Sequence, residues 1–348
     1  MPRLMPRRLR RPTVRLLAVL IIALFLLIIL PSLLAQTGRL LLENQPVRIE
    51  TTGTIVKVLN HSTGEKMELP LEAYVTGVVA AEMPAAFEPE ALKAQALVAR
   101  TYALKRIEMH AQTPNPKHPG LDLCTDSTHC QAWISEKEQQ QKWGMLKFPI
   151  YQRKIKAAVA ATQNQIITYN GSLIDPVYHS ACGGKTENSE DVWAQKIPYL
   201  RSVVCTWDQE APRYRGQLTL SWNEVEECLQ FPLVTSATAG NTGKFNPFTI
   251  IQENVKSPTG RLKTLQVGNQ KLTATEFRNR LGLDSTFITW KVNNENITFI
   301  TRGYGHGVGL CQYGANGQAA EGRSYAEIIK YYYQGVQICE VSAPPKSK

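Results

Sequence analysis

The 348-residue sequence predicts an α+β fold in two parts behind one N-terminal transmembrane helix. Three observations predict it. Residues 16–35 form a single uncharged, mostly apolar run. Beyond it, strand-like and helix-like periods come in mixed order without regular βαβ alternation, which argues against a doubly wound sheet. A strand-rich stretch from about Arg215 to Trp290 then interrupts segments that carry helices and glycine-rich loops. The expected organisation is a basic tail (1–15), an anchor (16–36), a helical/β unit (37–214), a smaller α+β subdomain (215–292) and a return to the first unit (293–348), with a cleft between the two units.

The first fifteen residues hold six arginines and no acidic residue. Twenty uncharged residues suffice to cross a hydrocarbon core of ~30 Å, and the positive-inside rule leaves the arginines in the cytoplasm and the rest outside. A cleaved signal peptide is the competing reading. The run is longer than a usual signal core, and Leu33-Leu34-Ala35 lacks the small residue expected two before a cleavage point. An uncleaved anchor is therefore favoured. Without those arginines the net charge of +10 falls to about +4. No basic groove interleaved with aromatics, helix-turn-helix pattern or phosphate loop is present, so nucleic acid is not expected as a partner. Seven cysteines are an odd number, so at least one thiol is free, metal-bound or paired with another chain.

In chain order, VRIETTG, TIVKVLN and KMELP read as strands around a His61–Gly64 turn. Leu71–Glu82 is an alanine-rich helix that Pro84 must stop, because proline lacks an N–H and clashes with the preceding turn. A second helix starts near Glu88-Pro89, with Leu92, Ala96, Ala99 and Ala103 on one face. Gln112–Lys142 reads as a long polar loop and Tyr151–Thr162 as a short helix. Gln165–Tyr169 and Ser172–Tyr178 form a hairpin through Asn170-Gly171, which suits a type I′ turn. QLTLSW, FTIIQENV and RLKTLQV are strands, with helices capped by Asn223/Glu226 and spanning Thr273–Leu281. A strand pair turns around Asn293-Asn294. After the glycine-rich Gly303–Gly317, Ser324 and Glu327 cap a last helix, Tyr325–Gln334, that ends at Gly335.

Four constellations can carry chemistry. Glu82 stands at a helix C-terminus, where the macrodipole disfavours negative charge by up to about 1 kcal/mol. In an apolar site desolvation adds to this and keeps the acid protonated, as a general acid requires. The alternative is a glutamate that merely ends a surface helix. His118, Cys124, His129 and Cys130, spaced H-x5-C-x4-H-C, make a complete tetrahedral zinc set with no position left for water. A Cys124–Cys130 disulfide and an unrelated grouping are the other readings. Tyr178 and Ser180 share a strand face, suited to a sugar, whereas His179 points to the other face and cannot easily pair with Ser180. The alternate glycines of GYGHGVG permit positive φ and close backbone approach, either as a nest for a ligand oxygen or as a tight turn.

AAEMPAAFEPEALKAQALVARTYAL, VYHSACGGKTE and GYGHGVGLCQYGANGQA, in this order behind an anchor, closely resemble the stage II sporulation protein D family. The likeness runs from about Val47 to Ile338. It implies a membrane-anchored lytic transglycosylase that cuts peptidoglycan glycan strands, preferably stripped of stem peptides, during engulfment of the forespore. The ectodomain then faces outward from the mother-cell membrane. Two partners are implied, stage II sporulation proteins P and M. By motif position Glu82 is the catalytic residue. Lys93, Gln95, Arg100, Tyr178, Ser180, His306, Gln312 and Tyr313 are substrate-binding candidates. Some relatives bind structural zinc through a loop spaced like His118, Cys124, His129 and Cys130. Cys182 departs from the family pattern and stands near Cys311 by motif, where a disulfide is one option. Related domains also occur in proteins that enhance cell-wall amidases, which gives a non-catalytic glycan-binding alternative.

Overall fold

The computed structural model describes residues 53–233 and 247–341, with a few positions between 23 and 27. The tail and most of the expected anchor lie outside the described residues. Among those described, no helix is long and apolar enough to cross a membrane. Helices and strands are mixed, as an α+β class requires.

The chain opens with β1 (Ile55–Leu59) and β2 (Lys66–Pro70), an antiparallel pair joined by the His61–Gly64 turn. α1 (Leu71–Glu82) follows directly and α2 (Pro89–Gln112) after a six-residue break. β3 (Leu123–Cys124) adds to β1 in parallel. α3 (Glu136–Ala161) is kinked at Gly144 and contains Pro149. Next come β4 (Gln165–Tyr169), β5 (Ser172–Leu173), β6 (Tyr178–His179), β7 (Gly184–Lys185), the short α4 (Ser189–Val192) and β8 (Val204–Cys205).

The strand-rich part holds β9 (Arg215–Ser221), α5 (Trp222–Leu229), α6 (Pro247–Ile250), β10 (Ile251–Lys256), β11 (Leu262–Val267), β12 (Gln270–Thr273), α7 (Ala274–Leu281), β13 (Ile288–Val292) and β14 (Asn296–Arg302). β15 (Leu310–Cys311), α8 (Gln312–Ala320), α9 (Tyr325–Tyr332) and β16 (Gln337–Glu340) complete the fold. β16 returns to pair with β4, and β15 runs parallel to β6 with Leu310 opposite Tyr178.

α2 is the centre of the first core. Every residue from Ala91 to Leu104 is buried except Lys93, so the helix is covered on all sides rather than on the single predicted face. Its alanines explain this, since small side chains let α1, α3, α8, α9 and β4 approach from different directions. The second core gathers Val225, Leu229, Phe277, Ile297 and Phe299, each completely buried and worth ~2 kcal/mol.

Several expectations shift. The long polar loop ends earlier, because Ser135 and Glu138 form a capping box that starts α3; its EKEQQQ run has no apolar face and reads as loop. The cap of α5 is Ser221 with Glu224, two residues before the predicted pair. The hairpin at Asn170-Gly171 is short, and Tyr178 belongs to a separate strand that pairs with β15. β14 lies between β13 and β9 in one sheet, so the strand-rich packing unit runs on past 292 to Arg302.

Gly77 on α1 has a packing reason. A Cβ there would lie 2.1 Å from Trp133 Nε1, and Ile134 donates its N–H to the Gly77 carbonyl at 3.3 Å. Gly77→Ala gains helix propensity of about 1 kcal/mol. The overlap with Trp133 outweighs that gain, and urea unfolding should show a net loss of about 1–3 kcal/mol. An unchanged or raised midpoint would refute this packing role.

Candidate active site around Glu82

Glu82 is the last residue of α1. Met83 turns to extended backbone (φ −110°, ψ 141°) and still donates to Val79, so the helix stops one residue before Pro84. The break carries Phe87, whose ring meets Tyr313 of α8 edge-on at 4.9 Å. Asn316 Oδ1 accepts from the Glu88 N–H at 2.8 Å, fastening α8 to the same break.

The Glu82 carboxylate is half-buried and accepts from the Ala132 backbone N–H at 2.8 Å. The Tyr178 hydroxyl stands by it and accepts from Gln131 Nε2 at 3.1 Å, while Tyr74 donates to Gln131 Oε1 at 3.3 Å. Lys142 Nζ donates to the Ala80 and Ala81 carbonyls at 3.0 and 3.3 Å, which satisfies the open end of α1 with a cation. Desolvation is the largest influence and holds the carboxyl above its usual range, against the Ala132 N–H, the Tyr178 hydroxyl and the Lys142 charge. No lysine or arginine closes an ion pair on Glu82 among the described residues. The sequence reading missed Tyr74, Gln131, Ala132 and Lys142. One signal was available: Gln131 directly follows the Cys/His loop.

β15 pairs with β6, which brings Gln312 and Tyr313 beside the Tyr178–Ser180 segment; Tyr313 donates its N–H to the Ser180 carbonyl at 3.1 Å. The glycine-rich segment serves this approach. A Cβ at Gly309 (φ +71°) would lie 2.1 Å from the Val177 carbonyl oxygen. At this glycine the segment makes a close backbone approach to another strand. His306 accepts from the Val308 N–H at 3.1 Å, and burial pushes its imidazole down to about 4, so it is neutral near pH 7. Its ring packs between His179 at 5.5 Å and the exposed Trp193 at 5.1 Å. Trp193 also borders a recess of about 220 Å³ with Glu190, Asp191, Lys263 and Thr264.

The candidates on α2 are placed differently. Arg100 is completely buried, donates twice to Glu72 at 2.7 and 2.8 Å, and also reaches Thr162 and Val159. It ties α2 to α1 and α3 and cannot meet a ligand, which corrects its assignment as a substrate-binding residue. Gln95 is buried and accepts from Gln312 Nε2 at 3.4 Å, so this pair joins α2 to α8. Lys93 pairs with Glu90 at 2.6 Å, and Glu90 accepts from the Tyr325 N–H, which anchors α9.

Other carboxylates near these motifs are occupied. Buried Glu187 accepts from Ser257 and Thr259 at 2.7 Å. Glu190 forms a double contact with Arg201, whose guanidinium holds it down to about 2. Asp191 pairs with Lys263 at 2.9 Å.

The Cys/His loop closes on itself. The ligand atoms of His118, Cys124, His129 and Cys130 all lie within 4.8 Å of one another. His118 Nδ1 donates to the Leu121 carbonyl at 3.0 Å, leaving Nε2 with its lone pair 3.6 Å from Cys130 Sγ. His129 Nδ1 faces both sulfurs at 3.3 and 3.4 Å. No Cys124–Cys130 bond is present. Two thiols and two imidazoles, that of His118 with its tautomer fixed by the Leu121 carbonyl, suit zinc.

The fold and site thus define a mixed α+β protein with one free acid at a helix break. Residues 60–169 match the family described as Stage II sporulation protein. The chain is 39% identical over 310 residues to stage II sporulation protein D of Bacillus subtilis (strain 168), covering 89% of this chain and 84% of that one. It is 38% identical to the Bacillus amyloliquefaciens protein of the same name, over 87% and 81% of the two chains. It is also 26% identical to the amidase enhancer of Bacillus subtilis, over 88% of this chain and 49% of that one. The chain belongs to the stage II sporulation protein D family.

A carboxyl whose native pKa lies above its unfolded value binds its proton more tightly when folded. Stability therefore falls as pH rises from the unfolded value of about 4.3 through the native one, and the ionised group remains a cost above both. Glu82→Gln should raise the urea midpoint at pH 7, and the gain should vanish below about pH 4. A gain of equal size at pH 3.5 would contradict this.

Proposed function

We propose that this protein is a peptidoglycan lytic transglycosylase acting during sporulation, with Glu82 as its single acid and base. The observation that carries the reading is a half-buried carboxyl whose hold on its proton is strengthened by desolvation, hydrogen-bonded but without an ion pair among the described residues, while Glu187, Glu190 and Asp191 are engaged elsewhere. In this mechanism Glu82 gives its proton to the glycosidic oxygen between N-acetylmuramic acid and N-acetylglucosamine as the C1–O bond breaks. The carboxylate then takes the proton of the C6 hydroxyl, whose oxygen bonds to C1 and closes the 1,6-anhydro ring. The sugar supplies its own nucleophile, so no second carboxylate is required. An inverting or retaining hydrolase would ordinarily need one about 5–9.5 Å away.

Tyr178 orients the acid, and Ser180, His306, Gln312 and Tyr313 line its surroundings. Exposed Trp193 and the recess beside it suit a sugar ring, which would extend the site toward the strand-rich part. Lys93 and Gln95 act in this reading by holding α2, α8 and α9 around the break. Residues before 53 would tether the protein to the mother-cell membrane, with stage II sporulation proteins P and M as partners on the same glycan.

Zinc on His118, Cys124, His129 and Cys130 would be structural, since four protein ligands leave no place for a reacting water. Cys130 immediately precedes Gln131 and Ala132, the two residues that hold Tyr178 and Glu82. A closed loop would keep them in register. Chelation should lower the melting temperature by about 5 °C or more and restore it on adding zinc. Metal-free protein that melts unchanged would remove this role.

The amidase-enhancer relative favours a second reading, a glycan-binding partner without its own chemistry. Mass spectrometry of denuded glycan strands incubated with the protein separates the two. Saccharides ending in 1,6-anhydro-N-acetylmuramic acid should form, fall by at least 10²-fold with Glu82→Gln, and fall less with Tyr178→Phe. Strand binding should persist in both variants. Equal product from Glu82→Gln would eliminate the mechanism.

A further inference from the structure

A second sulfur cluster lies apart from the Cys/His loop. Cys182 follows β6, Cys205 ends β8 and Cys311 ends β15, so residues far apart in sequence converge on one point. All three are buried, and none is bridged. The donor atoms of Cys182, Cys205 and Asp208 lie within 4.8 Å of one another, as do those of His179, Cys182 and Cys311. Cys311 Sγ is 3.8 Å from Asp208 Oδ2. A Cβ on Gly314 would lie 2.4 Å from Cys205 Sγ and 3.2 Å from Cys311 Sγ, so both sulfurs crowd the first turn of α8.

From Cys182, Cys205, Asp208 and Cys311 we infer a second metal site that takes a divalent ion of the zinc class. Zinc–sulfur bonds of about 2.3 Å in a tetrahedron set the sulfurs ~3.8 Å apart, so the Cys182–Cys205 and Cys182–Cys311 pairs each need a contraction of about 1 Å or less. Completely buried Asp208 points to a cation: its Oδ1 has no hydrogen-bond partner, whereas Oδ2 accepts from the Gly183 N–H at 2.7 Å. A buried carboxylate grouped with Cys182 and Cys205 and keeping one orphaned oxygen is costly unless something positive binds it.

The surroundings also suit thiolates. Gly314 donates its N–H to Cys311 Sγ at 3.4 Å from the N-terminus of α8, where the macrodipole favours negative charge. The Tyr332 hydroxyl sits 3.2 Å from Cys205 Sγ and donates to it once that sulfur is ionised. Buried Arg261 donates to the Cys182 carbonyl at 2.5 Å and fixes that backbone, while its Nε faces the Glu187 carboxylate at 4.0 Å. Such outer donors orient ligands and tune their charge. A disulfide would use two sulfurs and leave the third, and Asp208, unexplained. The ion would lock β6, which carries Tyr178, to α8, which carries Gln312 and Tyr313.

The test is a metal count on the full-length chain, purified in detergent under anaerobic, reducing conditions with zinc supplied. In the Cys124→Ser/Cys130→Ser background, one zinc per chain should remain, and Co(II) in its place should give a thiolate charge-transfer band. Adding Cys205→Ser or the near-isosteric Asp208→Asn should lower zinc occupancy at least tenfold at equal concentration. Should the double variant fail to fold, native mass spectrometry of the unaltered chain gives an independent reading. Two zinc ions, reduced to one by Asp208→Asn, support the site. A single zinc in the unaltered chain, no metal in the folded double variant, or a mass lighter by two hydrogens that reduction restores would overturn it. None of these readings depends on cleavage activity.

Discussion

The hydrogen bond from the Ala132 amide to the Glu82 carboxylate is the contact around which the rest of the site is arranged. It exists because residues 131–134 lie flat against α1, and they do so because Gly77 leaves room for the Trp133 ring. The same segment delivers Gln131, which links Tyr74 and Tyr178 above the acid. A backbone donor costs no side-chain entropy and brings no net charge. It can therefore hold a carboxyl in place without forcing it to ionise, which an arginine would do.

The balance at Glu82 is set by burial rather than by its helix. Lys142 occupies the carbonyls at the end of α1 and offsets the macrodipole, so the helix end contributes less than its position implies. Desolvation remains the dominant influence. Perturbed acids of this kind cluster at functional sites, and the neighbouring carboxylates show the contrast. Arg201 favours the anionic form of Glu190, and Ser257 and Thr259 both donate to one oxygen of Glu187.

Much of what looks like binding chemistry in the motifs is architecture. The second helix is surrounded by packing partners, and its polar residues join it to them: Arg100 to α1 and α3, Gln95 to α8, and Lys93 through Glu90 to α9. The alternate glycines let one strand press against another, since any side chain at Gly309 would collide with Val177. Tyr178, Ser180 and Tyr313 come together through that contact, so the site depends on a parallel pairing of two very short strands.

The sequence by itself determined what local rules govern. The helix break at Met83-Pro84, the proline start of α2, the extent of α7, the cap of α9 and the spacing of the Cys/His loop all follow from residues a few positions apart. It also singled out Glu82, because a lone acid at a helix end is a local feature. Only the tertiary structure decided which polar residues face that acid. Arg100 and Gln131 illustrate the reason. Both are polar and unremarkable in sequence, yet packing buries the first between three helices and lays the second against Tyr178. Charge, burial and hydrogen bonding at a site are properties of neighbours, and those neighbours are chosen by long-range packing rather than by spacing along the chain.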